Sequence, residues 1–456
     1  MGTQASELYK DKRIAEAKKL LKEALIDHTA KLTEVKSANK DLKKDYDKLL
    51  KTFGEQRGGN LFYNYLGSGM GHGALVELAD GSVKYDFITG IGVHYFGHSN
   101  PDLIDSLVDA SLSNTTMHGH LQQNTDSAKL VNLIVEQATK NGSGLKHCLL
   151  SSSGAMACEN ALKMCFQKRR PANRVIAFEK CFMGRTLALC QVTDKAAYRE
   201  GMPDTINVDY VPFYDYKDHD GSIKKTIAKL NDLIKRYPGK HAAICMELIQ
   251  GEAGSWPGHE DFFKAIIDVC KKNNISIFVD EVQTFMRTQE LFAFQYFKLD
   301  KLVDVVTIGK NAQVCATLFT TEHKPGPGLI SQTFTSSSSA IVAGYHIISS
   351  VLENGYLGEN GKINKIHNYF KNKLETLSKN YPDKIQGPHG IGAMVAMTMF
   401  GGDAEKSKQF TFDLFQNGVL SFIAGSNPTR VRFLVPMGAV TENDIDKVAE
   451  IIEKTL

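Results

Sequence analysis

No stretch of this chain approaches the roughly 18 uncharged apolar residues of a membrane span. The N-terminus has no basic segment leading into an apolar core and a small-residue cleavage site. Charge of neither sign prevails: the net charge is +3, and residues 1–53 alone hold 13 Lys and Arg against 9 Asp and Glu. So small an excess does not indicate a nucleic-acid partner. The eight cysteines, at 148, 158, 165, 181, 190, 245, 270 and 315, include no CxxC pair and no histidine at ligand spacing, so no metal site is expected. Scattered through apolar segments, they read as reduced, mostly buried thiols of a cytoplasmic protein. What remains is 42% hydrophobic and 23% charged, a composition that excludes disorder and suits a large globular chain of one or two domains.

Between Leu21 and Phe53 apolar residues recur by fours and threes: Leu21, Leu25, Leu32, Val35, Leu42, Tyr46, Leu49 and Phe53, with His28 and Asn39 filling two places. This comb predicts a helical, heptad-patterned extension over 1–53, either a coiled coil or helices packed on the chain's own body. The glycine-rich "GEQRGGN" ends it, and "LADGSVKYDF" predicts a hairpin turning at Asp80-Gly81. From residue 101 helical and strand patterns alternate. Short continuous apolar strands such as "RVIAFE", "HAAICMEL", "ISIFVDEV" and "LVDVVTIG" predict an α/β fold, a mainly parallel sheet with helices on both faces. A long helical stretch over 337–380, then "GAMVAMTMF" and "TRVRFLVPM", predict a smaller α+β domain. The expected division is an extension over 1–53, a first segment of the small domain over 54–100, a large domain over 101–335 and the rest of the small domain over 336–456.

Ligands of parallel sheets bind outside the carboxyl ends of the strands, so polar residues just after apolar runs are the candidates. "LLSSSGAMACENALK" ends a strand on serines and opens a helix, which makes either a plain cap or an anion cradle. "ISIFVDEVQT" ends on Asp280-Glu281 and "VDVVTIGK" on Lys310. Singly these are ordinary strand-end charges. Together they offer an amine for a Schiff base and a carboxylate to hold a pyridinium nitrogen protonated, the parts of a pyridoxal phosphate site. "ICMELIQGEAG" holds Glu247 and Glu252 after another strand, either as solvated acids of a turn or with Glu252 as the partner of Arg432, an arginine inside the apolar "RVRFLVP".

From about residue 60 onward the chain resembles the class III aminotransferases, the ornithine, acetylornithine, 4-aminobutyrate and lysine group of the type I pyridoxal phosphate fold. "YDFITGIGVHYFGHSNP", "SSGAMACENALK", "FEKCFMGRT", "MELIQGEAG", "VDEVQT", "TIGK" and "VRFLVPM" follow in the family's order and spacing. The resemblance implies pyridoxal 5'-phosphate as cofactor, with Lys310 forming the Schiff base and shuttling a proton, and Asp280 pairing with the pyridine nitrogen. It implies that Gln283 lies near the ring hydroxyl, that Phe182 stacks on the ring, and that Ser153, Gly154 and Ala155 hold the phosphate. Thr333 resembles the threonine that reaches the phosphate from a second subunit, which implies a homodimer with shared sites. Arg432 would bind the α-carboxylate of the keto acid, with Glu252 neutralising it when a substrate enters amine end first.

Departures from the family pattern concern the pocket. Met183 stands where histidine is usual before Gly-Arg, and Cys158 replaces an asparagine. The loop after "DEVQT" is one residue short, "TSSSSA" replaces a Gly-Gly-Asn-Pro stretch, and Asn311 to Cys315 replace a triple glycine. "GKNAQVC" looks most like the lysine 6-aminotransferase branch. The expectation is therefore transfer of a terminal amino group, from a lysine-, ornithine- or 4-aminobutyrate-like donor to 2-oxoglutarate, with glutamate as the product, and no nucleic acid or membrane partner. An aminomutase or racemase of the same family, and a partner-binding protein on this scaffold, are the alternatives.

Overall fold

The computed structural model describes residues 2–113 and 117–456. The chain forms two compact units. One comprises the segment up to Ser113 with Lys365–Pro388 and Val395–Leu456; the other comprises the chain beyond Ser113 as far as Asn364, with His389–Met394.

The larger unit is built on a seven-stranded sheet of β1 (His147–Ser151), β2 (Arg174–Phe178), β3 (Asn207–Val211), β4 (His241–Met246), β5 (Ser276–Glu281), β6 (Val305–Ile308) and β7 (Cys315–Phe319). Their spatial order is β1-β7-β6-β5-β4-β2-β3. β7 runs against both its neighbours, and the other pairs are parallel. Every residue of β4, β5 and β6 is buried, which is why these strands read as unbroken apolar runs. Helix α1 (Gly154–Arg169) packs on β4, β6 and β7. The helix Glu260–Lys272 buries Phe262, Phe263, Ile266, Ile267 and Cys270 as one stripe, matching the 3.6-residue period of its apolar positions. Because β4, β5 and β6 run in one direction, their carboxyl ends at Met246, Glu281 and Ile308 share one edge of the sheet.

Two sequence expectations are corrected here. β7 lies outside the expected strands, returning antiparallel to β6 within a few residues of Lys310. The long helical stretch is two helices, Ser338–Glu353 and Lys362–Asn380, parted at Gly355 and Gly358. These glycines have φ of 69° and 86°, a left-handed backbone that ends a helix.

In the smaller unit the comb divides into the helices Lys12–Thr29 and Lys40–Gln56. Asn39, one of its polar places, caps the second helix by accepting the Asp41 N–H at 2.9 Å, while its own N–H donates to the Asp80 carbonyl at 2.8 Å. Leu32 and Tyr46 are buried, whereas Leu21, Leu42, Leu49 and Phe53 are exposed, so the comb does not close into one seam within the chain. The Tyr46 hydroxyl donates to the Asn64 carbonyl at 2.6 Å. The predicted hairpin is present as Leu75–Leu78 against Val83–Asp86, with Gly81 at φ 78° in its turn. Strand Arg430–Leu434 pairs antiparallel with Phe422–Ala424, placing Arg432 opposite Phe422. Among the described residues no helix is long and apolar enough to cross a membrane.

Candidate active site

The carboxyl end of β5 delivers Asp280, which stands directly opposite Thr307 of β6. Asp280 is 8% exposed. Its Oδ1 accepts the Val282 N–H at 2.9 Å and the Thr307 hydroxyl at 2.8 Å, and its Oδ2 faces the Cys158 thiol at 3.6 Å. Burial pushes the Asp280 pKa up, while the bonds from Val282 and Thr307 and the nearby Lys310 charge pull it back. A carboxylate so balanced is kept ionised by a cation or an N–H placed beside it.

Lys310 follows two residues after β6 and opens a single turn of 3-10 helix, Lys310–Ala312. Its φ is 51° and that of Gln313 is 61°, both in the left-handed region that costs a non-glycine residue about 1–3 kcal/mol. The chain thereby leaves the ladder abruptly, with the lysine at the sheet edge shared with Asp280.

The third side is the start of α1. The Ser153 hydroxyl caps the helix by accepting the Met156 N–H at 3.2 Å. The first N–H groups of a helix have no carbonyl partner within it, and they suit an anion. Gly154 lets this helix end approach the turn after Asp280, because a Cβ there would lie 2.9 Å from Val282 Cγ1.

The fourth side rests on a carboxyl group that sequence reading left open. Glu247, just beyond β4, is buried, and its oxygens accept the N–H groups of Phe182 at 2.7 Å and Gly251 at 3.2 Å. Burial raises its pKa to about 8. It is therefore no solvated turn acid but the link between the aromatic residue and the loop that carries half-buried Glu252. Gly251 packs against the Gln283 side chain, which would have to move for a Cβ there, since one would fall 1.8 Å from Gln283 Oε1.

One cavity in the larger unit is lined by Gly154, Ala155, Phe182, Asp280, Gln283 and Lys310, together with Cys158, Met183 and Glu247. Ser153 adjoins it as the cap of α1. Thr333 lies on a separate exposed segment of the same unit, next to Phe334, which is 60% exposed. Arg432 belongs to the smaller unit, where it is buried with its guanidinium 5.8 Å from the Phe422 ring centroid. Cys158, Glu247 and Thr307 are the neighbours the sequence reading did not assign. Each left a sequence signal without a role: Thr307 as a polar residue inside an apolar strand, Glu247 as an acid at a strand end and Cys158 as a departure from the family pattern.

The donor set fits pyridoxal phosphate. An amine can meet its aldehyde, a buried carboxylate its ring nitrogen, a capped helix end its phosphate, and the ring of Phe182 its flat face.

Comparison with known proteins agrees with this geometry. Residues 63–456 match the family described as aminotransferase class-III. The chain is 27% identical over 402 residues to the acetylornithine aminotransferase of Caldanaerobacter subterraneus, covering 85% of this chain and 93% of the relative. It is 29% identical over 402 residues to acetylornithine aminotransferase 1 of Bradyrhizobium diazoefficiens, covering 85% and 91%. The lysine aminotransferase of M. tuberculosis, solved in its internal aldimine form, shares the fold with a TM-score of 0.79 at 20% identity, covering 90% of this chain and 98% of that one. The ornithine aminotransferase of Toxoplasma gondii shares it with a TM-score of 0.75 at 21% identity, covering 91% and 98%. The seven-stranded sheet, the cavity at its edge and these matches lead to one conclusion: the chain belongs to the class III aminotransferases, pyridoxal phosphate-dependent enzymes of the type I fold.

Proposed function

We propose that this enzyme moves an amino group from a terminal-amine donor, of the lysine, ornithine, acetylornithine or 4-aminobutyrate kind, to 2-oxoglutarate by a ping-pong mechanism. The observation that carries the reading is the meeting of Lys310, Asp280 and the start of α1 around one cavity. The donor class is supported by the curated relatives, named for acetylornithine, whose free amine lies at the end of its side chain. A solved structural neighbour is titled a taurine:2-oxoglutarate aminotransferase, in complex with the cofactor and glutamate.

Pyridoxal phosphate supplies an aldehyde that takes up the amine and a ring that stores the electrons released at the substrate carbon. Lys310 Nζ would hold the aldehyde between turnovers and would serve as the base that moves the proton. Asp280, fixed by Thr307 and Val282, would hold the pyridine nitrogen protonated. Phe182, anchored through its N–H to Glu247, would cover the ring, and Gln283 would meet the ring hydroxyl. Ser153, Gly154 and Ala155 hold the phosphate, joined by Thr333 of a second subunit.

The family resemblance assigns Arg432 to the α-carboxylate of 2-oxoglutarate and Glu252 to its neutralisation when the terminal amine enters instead. An arginine free in both half-reactions would favour α-carboxylates in both, so a paired state is what admits the other end of the donor. A homodimer is supported by exposed apolar residues of the larger unit, Met117, Leu121 and Phe334, on segments that flank the paired strands Met117–His118 and Ser336–Ser337. The eight free cysteines fit a reducing cytoplasm.

The test is glutamate formation from 2-oxoglutarate with lysine, ornithine, acetylornithine and 4-aminobutyrate offered in turn. Turnover with one or more of them is expected. Product formed without any keto acid would instead support a mutase or racemase, and the absence of product with all four would sink the donor class.

A further inference from the structure

His219, His259 and Asp261 each offer a ligand atom within 4.8 Å of the others, on the surface of the larger unit and apart from the cofactor cavity. We propose that they form a site for a divalent transition metal of the zinc class. Imidazole nitrogens with one carboxylate oxygen are the ligands that Zn²⁺ and its neighbours prefer over Mg²⁺ or Ca²⁺. Tetrahedral zinc with bonds of about 2.0–2.2 Å sets its ligand atoms roughly 3.3–3.5 Å apart. Asp261 Oδ2 lies 3.5 Å from His259 Nδ1 and 3.9 Å from His219 Nε2, and all three ligand atoms lie within 4.8 Å of one another, so small side-chain movements bring them onto one cation.

Its surroundings hold the ligands in place. His219 begins the helix His219–Arg236 and His259 caps the helix Glu260–Lys272, two helices that pack against each other. The Tyr214 hydroxyl lies 2.9 Å from His219 Nδ1, which leaves Nε2 as the nitrogen facing Asp261. Such a partner on the far ring nitrogen is the usual support of a metal-bound histidine. The Tyr214 ring also stacks on His259 at 5.8 Å, and the two histidine rings meet edge to face at 4.7 Å.

Two features oppose the cation. Both helix N-termini carry partial positive charge, offset by Asp220, Glu260 and Asp261 in their first turns. His259 Nδ1 accepts the Asp261 N–H at 3.2 Å, a weak cap bond that the metal would replace. Three protein ligands leave the fourth position to water. The site would clamp two helix starts together, within three residues of the short strand Trp256–Pro257 that pairs with Ile249–Gln250. His219 and His259 lie 40 positions apart, so no motif spacing in the sequence could announce the pair.

The experiment is calorimetric titration of untagged, chelator-treated holoenzyme with Zn²⁺, with thermal unfolding run alongside. One site per chain is expected. His219→Ala and His259→Ala should each weaken it at least tenfold and remove the rise in unfolding temperature that zinc gives the parent protein. His28→Ala, in the N-terminal helix, should leave both readouts unchanged, and activity should stay near the parent level in all three variants. Parent-like zinc affinity in both histidine variants overturns the assignment, as does a parent protein with no saturable site at sub-millimolar zinc. If either alanine variant is unstable without metal, His219→Gln and His259→Gln replace it under the same criteria.

Discussion

The Thr307 hydroxyl donates to Asp280 Oδ1 at 2.8 Å across two parallel strands, where the register sets the two residues face to face. The carboxylate proposed to keep the cofactor's ring nitrogen protonated is thereby held by the sheet itself rather than by a loop. Replacing Thr307 with Val keeps the shape and removes this donor. A hydrogen bond to a charged group contributes about 1.5–3 kcal/mol, so kcat should fall about tenfold to a hundredfold with KM little changed. Steady-state kinetics on the variant check this, and an unchanged kcat would remove Thr307 from the account.

Lys310→Ala should leave a folded protein that no longer retains its cofactor covalently. Loss of a proton-transferring group alone lowers rates by about 10²–10⁴-fold, and loss of the Schiff-base amine adds to that. Near-ultraviolet circular dichroism and single-turnover kinetics separate the two effects. An undiminished rate would falsify the assignment of Lys310.

Gly154→Ala brings a Cβ to within 2.9 Å of Val282, in the turn that positions Asp280. Overpacking of this kind typically costs about 1–3 kcal/mol. The variant should bind pyridoxal phosphate more weakly than the parent, by fluorescence titration of the apoprotein. Parent-like affinity and stability together would show that α1 can retreat without cost.

Glu247 yields a dependence on pH with a definite sign. Burial raises its folded pKa to about 8 from an ordinary value of 4.5, so between these values the folded state binds the proton and the unfolded state releases it. Its contribution to stability is full below about pH 4.5 and is lost as pH rises through about 8. Glu247→Gln cannot ionise and escapes this loss. Unfolding midpoints of parent and variant at pH 5 and pH 8.5 should shift in the variant's favour as pH rises. A difference that stays constant across that range would mean that Glu247 ionises without penalty where it stands.

Much of the candidate site was legible in the sequence, for a physical reason. Strands buried on both faces must be continuously apolar, so Asp280 and Lys310 stood out as charges where such runs end. The serines before Gly154 marked a helix start for the same reason, since a capping hydroxyl must precede the first turn. The strand Cys315–Phe319 and the division of the heptad comb were not legible, because a short return strand and a capped break leave little periodic signal.

The sequence by itself determined the order of elements, the sheet's apolar strands and which residues could carry amine and acid chemistry, because these follow from local periodicity and side-chain type. Only the tertiary structure decided that Thr307 and Cys158 flank Asp280, that buried Glu247 accepts two backbone N–H groups, and that His219 meets His259. Each of these is a meeting of residues distant in the chain, fixed by strand register and helix packing, and no single segment contains the information for it.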